Sequence, residues 1–264
     1  MTLLPIASPV PELTEEQRQR YARQILLPGL EEEGQRRLLG ARVLVVGAGG
    51  LGSPVLLYLA GAGVGTIGIL DSDKLELSNL QRQVIHDMQA LDTPKVASAA
   101  SRVRGLNDDV TLELHEVRLN DENAPGILGQ YDVVVDATDN FATRFLLDKV
   151  CTELGLPEVW GSVLGAATQV AVFWSGADAQ EHGVSPEREV RLRDVFPTPP
   201  PAGIIPVGPS SPVLGAPVGQ AGTAMASEVI KLLAGFGEVL LGRLALFDSR
   251  AANYTVLPVR PAAK

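Results

Sequence analysis

The chain has 264 residues, a net charge of −9 at pH 7 and one cysteine, and 45% of its residues are hydrophobic. One cysteine excludes an internal disulfide and a cysteine-rich zinc site, and the negative charge argues against nucleic acid or an anionic membrane as a partner. The N-terminal segment lacks the charged start and long apolar core of a signal peptide, and no apolar run is long enough to span a membrane, so we expect a cytoplasmic protein.

The first predicted elements are an arm and two helices. Residues 1–13 are rich in proline and predict a loose arm. Thr14, followed three positions later by Gln17, is typical of a capping box and predicts a helix that ends before Pro28. A second short helix is predicted over residues 31–39.

Strands and helices then alternate, which predicts an α/β fold. Continuous apolar runs indicate buried parallel strands, and the β-α-β order implies right-handed crossovers and a doubly wound, Rossmann-like sheet. The predicted strands are "RVLVVGA", "GTIGILD", "TLELHEV" and "YDVVVDATD". The predicted helices are "SPVLLYLAGAG", "PKVASAASRVRGLN" and "NFATRFLLDKVCTELG".

The C-terminal part has a different pattern. One helix is predicted over "AGTAMASEVIKLLAG". Further strands are predicted over "PEVWGSV", "TQVAVFW", "RLALFDS" and "NYTVLPV". Between them, residues 185–217 are dense in proline and glycine, which predicts an irregular crossover or a flap. No linker divides the chain, so we expect one domain over residues 1–264, with a mostly parallel sheet extended by antiparallel strands in this part.

The stretch "VLVVGAGGLGSP" contains the pattern G-x-G-x-x-G, formed by Gly47, Gly49 and Gly52, between a predicted strand and a predicted helix. Such a loop brings backbone N–H groups close to a phosphate at a helix N-terminus. Asp71 ends the next strand, where a carboxylate accepts hydrogen bonds from ribose hydroxyls. Both features suit NAD and ATP equally, whereas Asp73 is expected to serve the local loop.

Two cations near the loop favour a nucleotide with more negative charge than NAD. Arg82 lies in "LSNLQRQ", and Lys95 begins a predicted helix, where a cation opposes the helix dipole. A guanidinium grips phosphate oxygens in a fork, and an ammonium acts as a compact charge. We therefore expect a triphosphate, although a solvated loop charge and an ordinary helix start are the alternative interpretations.

A candidate metal ligand follows the strand "VVVD". Asp136 and Asp139 lie at the carboxyl end of a parallel strand, which faces the ligand crevice, and Asn140 follows. Mg²⁺ prefers oxygen ligands and comes with substrate phosphates, so Asp139 is the candidate Mg²⁺ ligand. The alternative interpretation is that Asp139 caps the next helix.

These stretches together resemble one family, the bacterial relatives of ubiquitin-activating enzymes typified by ThiF and MoeB. The combination of "SNLQRQ", "PK" and "TDN" is highly specific. The matching stretches are "RYARQILLPG", "LVVGAGGLGSP", "GVGTIGILDSDKLELSNLQRQVIH", "PKV", "DATDNFATR" and "ASEVIKLLAG". The resemblance implies a homodimer that binds Mg-ATP and adenylates the C-terminal Gly-Gly carboxylate of a small ubiquitin-like sulfur-carrier protein, releasing pyrophosphate.

The family's site residues map onto this sequence position by position. The resemblance implies that Gly50 approaches the phosphates, that Asp71 holds the ribose, and that Arg23 reaches the nucleotide of the partner subunit. The nucleotide-binding set implied by the resemblance and the loop is Gly47, Gly49, Gly50, Gly52, Asp71, Ser78, Asn79, Leu80, Gln81, Arg82, Lys95, Asp139 and Asn140. Within it, Arg82, Lys95 and Asp139, together with Arg23, are the expected catalytic residues.

The sequence departs from the family pattern at its cysteines. Typical members bind zinc through two C-x-x-C pairs, but Arg191 and Asp194 occupy the places of the first pair and the C-terminal stretch carries no cysteine, so we expect no structural zinc. Gly208 stands where many members have a cysteine in the crossover, which puts a thioester step in doubt. Cys151 lies in a predicted helix and is expected to be buried.

Three other functions remain open at this point. The same fold could adenylate a different carboxylate, on a metabolite, a peptide or tRNA. The glycine loop alone would also suit a nicotinamide oxidoreductase, and the missing cysteines would suit a non-catalytic scaffold. The sequence does not distinguish among carriers used for thiamin, molybdopterin or thiolated tRNA.

Overall fold

The apolar runs of the sequence form the strands of one mixed sheet in the computed structural model, which describes residues 3–201, 204 and 211–262. The strands are β1 (Arg42–Val46), β2 (Thr66–Leu70), β3 (Thr111–His115), β4 (Val133–Asp136), β5 (Glu158–Leu164), β6 (Ala167–Phe173), β7 (Arg243–Asp248) and β8 (Asn253–Pro258). The helices in the described residues are α1 (Glu15–Arg20), α2 (Ala22–Ile25), α3 (Glu31–Gly40), α4 (Gly52–Ala62), α5 (Lys95–Leu106), α6 (Ala124–Leu128), α7 (Phe141–Leu154), α8 (Ala177–Glu181), α9 (Leu192–Val195) and α10 (Gly215–Ala234).

The strand order is β3-β2-β1-β4-β5-β6-β7-β8. The first five strands in this order pair in parallel, and β5 to β8 pair antiparallel. The expected Rossmann-like, mostly parallel sheet with an antiparallel extension is thereby confirmed. The order reverses between β1 and β4, and in such sheets ligands bind beyond the carboxyl ends of the strands at this switch point.

Helices cover both faces of the sheet. Val43 and Val45 of β1 pack into a large core with α3, α4, α5 and α10, while Leu44 of the same strand packs into a second core with α6 and α7. This alternation explains why β1 is a continuous apolar run. Cys151 of α7 is buried in the second core, as expected.

The structure corrects several predicted boundaries. The capping box of Thr14 and Gln17 is confirmed, but the predicted first helix is divided at Tyr21 into α1 and α2. Helix α10 begins at Gly215, six residues before the predicted start at Ala221. Helices α6, α8 and α9 were not predicted.

The predicted loose arm is packed in its described part. Leu3, Ala7 and Leu13 are buried. The N–H group of Ile6 donates to the carbonyl of Leu232 at 3.2 Å, and that of Val10 donates to Arg36 at 3.0 Å. The prediction of a loose arm was wrong for residues 3–13, because apolar side chains among the prolines find partners on α3 and α10.

The proline- and glycine-rich segment 185–217 is structured where it is described. It contains a turn of 3₁₀ helix, α9 and the start of α10. Gly208, the position of the family's crossover cysteine, lies outside the described residues. Within the described ranges, no helix has both the length and the apolar character needed to cross a bilayer.

Candidate nucleotide-binding site

The glycine loop joins β1 to α4 at the switch point of the sheet. Gly47 has φ of +100°, and a Cβ atom there would lie 2.8 Å from the carbonyl oxygen of Ala137. A Cβ atom on Gly52 would lie 1.9 Å from the carbonyl oxygen of Gly47. Side chains are therefore excluded where the loop turns and where the helix meets the strand.

The loop presents free N–H groups at the start of α4. Helix α4 has no side-chain cap, and the backbone N–H groups of residues 49–51 have no hydrogen-bond partner in the described part of the chain. Unpaired N–H groups at a helix N-terminus, with the positive end of the helix dipole, form a site for an anion.

Two side chains fix the peptide groups of Ala48 in the middle of this loop. The N–H of Ala48 donates to Asp71 Oδ2 at 2.8 Å. His86 Nε2 lies 2.8 Å from the carbonyl oxygen of Ala48, and His86 Nδ1 lies 2.8 Å from Ser98 Oγ. Because a carbonyl can only accept, Nε2 carries the proton and the Ser98 hydroxyl donates to Nδ1.

His86 was not predicted as a site residue, because the sequence around a lone histidine does not indicate which group its ring will contact. The ring is buried, and burial lowers the pKa of His86 below its ordinary value. Asp71 was predicted to accept hydrogen bonds from the ribose. In the structure it lies beside the loop, and its second carboxylate oxygen accepts the N–H of Asp73.

The two predicted cations lie beside the loop. Lys95 begins α5, is largely buried, and its Nζ donates to Asp73 Oδ2 at 2.9 Å. The expected local role of Asp73 thus includes holding this amine. Arg82 Cγ would lie 3.5 Å from a Cβ atom on Gly50, and Arg82 Nη1 donates to the carbonyl of Ser78 at 3.1 Å.

The segment before Arg82 folds as a 3₁₀ turn, Leu77–Asn79. Ser78 and Gln81 are exposed, Leu80 is half-buried, and Asn79 is buried with its side-chain oxygen accepting the N–H of Glu76. Asn79 therefore stabilises the turn that carries Ser78, Leu80 and Gln81.

Gln83 is a further candidate site residue that the sequence analysis missed. Its Nε2 would lie 3.5 Å from a Cβ atom on Gly49, and its Oε1 is buried without a hydrogen-bond partner among the described residues. An unpaired buried acceptor beside the glycine loop fits a ligand that brings its own donor.

Asp139 lies in the turn after β4. The turn is tied to the glycine loop, because Ala137 donates its N–H to Val46 at 2.9 Å and borders Gly47. Asp139 is exposed and makes no hydrogen bond or ion pair within the described ranges. The helix cap is Asn140, whose Oδ1 accepts the N–H of Thr143, so the alternative interpretation of Asp139 as a cap was wrong.

Arg144 connects this turn to a groove. Its Nη2 donates to the carbonyl of Thr138 at 2.7 Å, and its Nη1 donates to Ser162 Oγ at 3.3 Å. Ser162 also lines an open groove of about 930 Å³ formed by β5, β6, β7 and residues 212–214. The groove therefore leads toward the turn that carries Asp139.

Arg23, by contrast, lies apart from this site. It is exposed on α2, and the neighbouring Gln24 donates to the carbonyl of Ala62, the last residue of α4. The glycine loop is at the other end of α4, and 11 residues of helix extend about 16 Å. The structure thus does not bring Arg23 to the glycine loop of its own chain.

Fold and site together define a Rossmann-type nucleotide-binding protein, with two cations and an exposed carboxylate beside its glycine loop. The chain belongs to the ThiF family, whose model matches residues 21–264.

Two curated relatives are similar along nearly the whole chain. One, "Probable adenylyltransferase/sulfurtransferase MoeZ" of Mycobacterium tuberculosis, is 44% identical over 98% of this chain and 64% of its own length. The other, "Sulfur carrier protein adenylyltransferase" of Thermus thermophilus, is 44% identical over 94% of this chain and 89% of its own length. The chain thus spans less than two thirds of the mycobacterial protein.

A solved structure shares the fold. The crystal structure of E. coli MccB with ATP superposes with a TM-score of 0.75 at 19% identity, covering 96% of this chain and 76% of that protein. This similarity supports the arrangement of strands and helices.

Proposed function

We propose that this chain is an ATP-dependent adenylyltransferase that activates the C-terminal Gly-Gly carboxylate of a small ubiquitin-like sulfur-carrier protein. The observation that carries the proposal is that Arg82 borders Gly50 of the glycine loop. The segments that carry Lys95 and Asp139 are linked to the same loop through Asp71 and Ala137. The two bridging phosphates of a dinucleotide do not require two additional cations beside the loop. The names of the MoeZ and Thermus relatives support the same activity.

The residues present fit Mg-ATP. The free N–H groups of residues 49–51 and the two cations suit the phosphates, and Asp71 suits the ribose. Asp139 would hold Mg²⁺, which neutralises phosphate charge when bound. Absence of a structural zinc stays a prediction.

The chemistry needs no general base. An oxygen of the carrier carboxylate, already ionised at pH 7, forms a bond to the α-phosphorus. The bond from that phosphorus to the oxygen that bridges to the β-phosphate breaks, pyrophosphate leaves, and an acyl-adenylate remains. Arg82 and Lys95 lie where they would offset the charge that develops on the leaving diphosphate.

The groove gives the carrier a route to this site. A flexible Gly-Gly tail is narrow and can lie along a groove of about 930 Å³. Ser162 lies in the groove and contacts Arg144, which holds the Asp139 turn. We therefore place the carrier's tail along β5 and β6, with its carboxylate directed at the nucleotide.

We further propose that the active form is a homodimer, in which Arg23 serves the site of the partner subunit. Arg23 lies at the far end of α4 from its own glycine loop. Leu26 and Leu27, on the same segment, are exposed by 79% and 44%. Exposed large apolar groups beside a functional cation fit a contact between subunits.

Pyrophosphate exchange into ATP tests the activity. We expect exchange that requires a carrier ending in Gly-Gly, and Lys95→Ala and Arg82→Ala should each reduce it by about a hundredfold, because each removes a preorganised cation. The matched control is Lys149→Ala, which removes an exposed lysine paired with Asp121 on the outer side of α7 and should leave the rate unchanged.

Other outcomes would contradict the proposal. Exchange stimulated by a metabolite or peptide carboxylate, but by no Gly-Gly carrier, would overturn the substrate. Tight binding of NADH without binding of ATP would overturn the reaction class. Equal rates in Lys95→Ala and wild type would overturn the role given to the cations.

A further inference from the structure

A group of buried polar side chains lies under α7, outside the contacts already assigned to the nucleotide. On the helix, Arg144, Asp148 and Cys151 are spaced to share the face that packs on the sheet. On the sheet, Asp136 ends β4 and Glu158 begins β5. All five are at most 5% exposed. Such groups are costly to bury unless their charges and hydrogen bonds are satisfied.

Asp136 and Glu158 are neighbours on one face of the sheet. Glu158 is paired with Val134, and Asp136 is two residues further along β4, so both side chains point toward α7. These diagonal positions on adjacent strands let the two carboxyl groups approach each other, and each acts on the pKa of the other.

Most of the other polar atoms in the group have partners. Asp148 accepts the N–H of Leu192 at 2.8 Å and Arg193 Nε at 3.0 Å. Asp136 Oδ1 accepts both the N–H and the hydroxyl of Thr138, at 2.9 and 2.6 Å. Three atoms of the group remain without a partner in the described part of the chain, namely the carboxyl oxygens Asp136 Oδ2 and Glu158 Oε1 and the donor Arg144 Nε.

One proton shared by the two carboxyl groups gives each of them a partner. Burial and the nearby Asp136 raise the pKa of Glu158 well above its ordinary value. Burial also raises the pKa of Asp136, but Arg144 and the two Thr138 donors oppose that rise, so the proton belongs to Glu158.

We propose that Glu158 is a positioning residue of the nucleotide site, which donates a hydrogen bond to Asp136 and thereby fixes the turn that carries Asp139. Asp136 is held on one side by the Glu158 hydroxyl and holds Thr138 on the other. Arg144 holds the carbonyl of Thr138, so the peptide groups on both sides of Thr138 are fixed. The inference rests on the proposed function, since Asp139 is given its metal role there.

Two substitutions of Glu158 separate this role from packing. Glu158→Gln keeps a donor beside Asp136, whereas Glu158→Leu keeps volume and leaves Asp136 Oδ2 unpaired. The half-saturating Mg²⁺ concentration in pyrophosphate exchange should be unchanged in the first variant. In the second it should rise about tenfold, because a hydrogen bond to a charged group is lost.

Val159→Ala is the matched control for stability. Val159 is buried on the opposite face of β5, in the core with α10, so its truncation should lower the unfolding temperature without changing the Mg²⁺ dependence. An Mg²⁺ dependence that is equal in Glu158→Leu and Glu158→Gln would overturn the positioning role.

Infrared spectroscopy of the whole chain tests the shared proton independently of activity. At pH 7, the difference spectrum between wild type and Glu158→Gln should contain a carbonyl band of a protonated carboxylic acid. Absence of that band would overturn the inference. If wild type showed no exchange with any carrier, the proposed function would fail, while a band that disappears in Glu158→Gln would still support the hydrogen bond to Asp136.

Discussion

The imidazole of His86 shows how a buried titratable group can support the glycine loop. Its protonated nitrogen holds the carbonyl of Ala48, and its other nitrogen accepts from Ser98. Burial is the largest cause that lowers the pKa of His86 from 6.5. In the unfolded chain this ring takes up a proton at a higher pH than in the folded protein, so acid favours unfolding.

A pH series of unfolding experiments tests this role. Stability contributed by neutral His86 is complete above pH 6.5 and decreases as the pH falls through the folded-state pKa. We expect His86→Gln to show a shallower loss of unfolding free energy between about pH 6.5 and 5. Ser98→Ala removes a hydrogen bond that favours the neutral ring, so its slope should lie between those of wild type and His86→Gln, and equal slopes in wild type and His86→Gln would contradict the assignment.

At the scale of residues, the sequence identified groups whose chemistry is visible in a motif. Asp71 and Lys95 follow from their places after a strand and before a helix, and both lie beside the loop. His86 and Glu158 were missed because each acts through another residue, Ala48 or Asp136, that is distant in the sequence. Only the packing of separate elements brings such pairs together.

At the scale of elements, α10 supports the glycine loop from the side. A Cβ atom on Gly50 would lie 2.7 Å from Val218 Cγ1 in the first turns of α10, and one on Gly222 would lie 2.5 Å from the carbonyl oxygen of Leu51. The two glycines therefore allow the loop and the helix to approach each other closely at two positions. This contact explains why a side chain at position 50 would clash, although Gly50 does not have a positive φ.

A double-mutant cycle measures this contact. Gly50→Ala should lower the unfolding free energy by about 1–3 kcal/mol, because the added methyl group overpacks against Val218. Val218→Ala removes the clashing atom, so the double variant should lose less stability than the two single losses combined. Chemical denaturation of the four proteins gives the coupling, and simple additivity would show that the backbone of the loop, rather than Val218, takes up the strain.

The elements that could be predicted are those with a strong local pattern. Every strand of the described sheet was predicted, and continuous apolar runs identified the buried strands β1 and β4. Gly63 and Gly155 end α4 and α7 in the left-handed conformation that favours glycine. Helix α9 could not be predicted, because it is held by the contact of Leu192 with Asp148 on α7. Asp194, where the family pattern has a zinc cysteine, accepts the N–H of Ala262, a contact that no local rule predicts.

For the molecule as a whole, the proposed role of Arg23 requires a second subunit. The glycine loop, Arg82, Lys95 and Asp139 come from one end of the sheet, while Arg23 lies at the far end of α4. A two-fold dimer contact is isologous, so each subunit would give its Arg23 and receive the partner's. The proposed homodimer therefore predicts that two different inactive variants can complement each other in mixed dimers.

Mixing Arg23→Ala with Lys95→Ala tests this prediction. Each variant alone should be nearly inactive in pyrophosphate exchange. After subunit exchange, each mixed dimer has one site with an intact Lys95 and an intact Arg23 from the partner, and random pairing should restore about a quarter of wild-type activity. A mixture of Arg82→Ala with Lys95→Ala is the control. Both residues serve the same chain's site, so every mixed dimer lacks an intact site and activity should not return. Failure of the first mixture to recover, with co-purification of differently tagged subunits showing mixed dimers, would place Arg23 outside the partner's site.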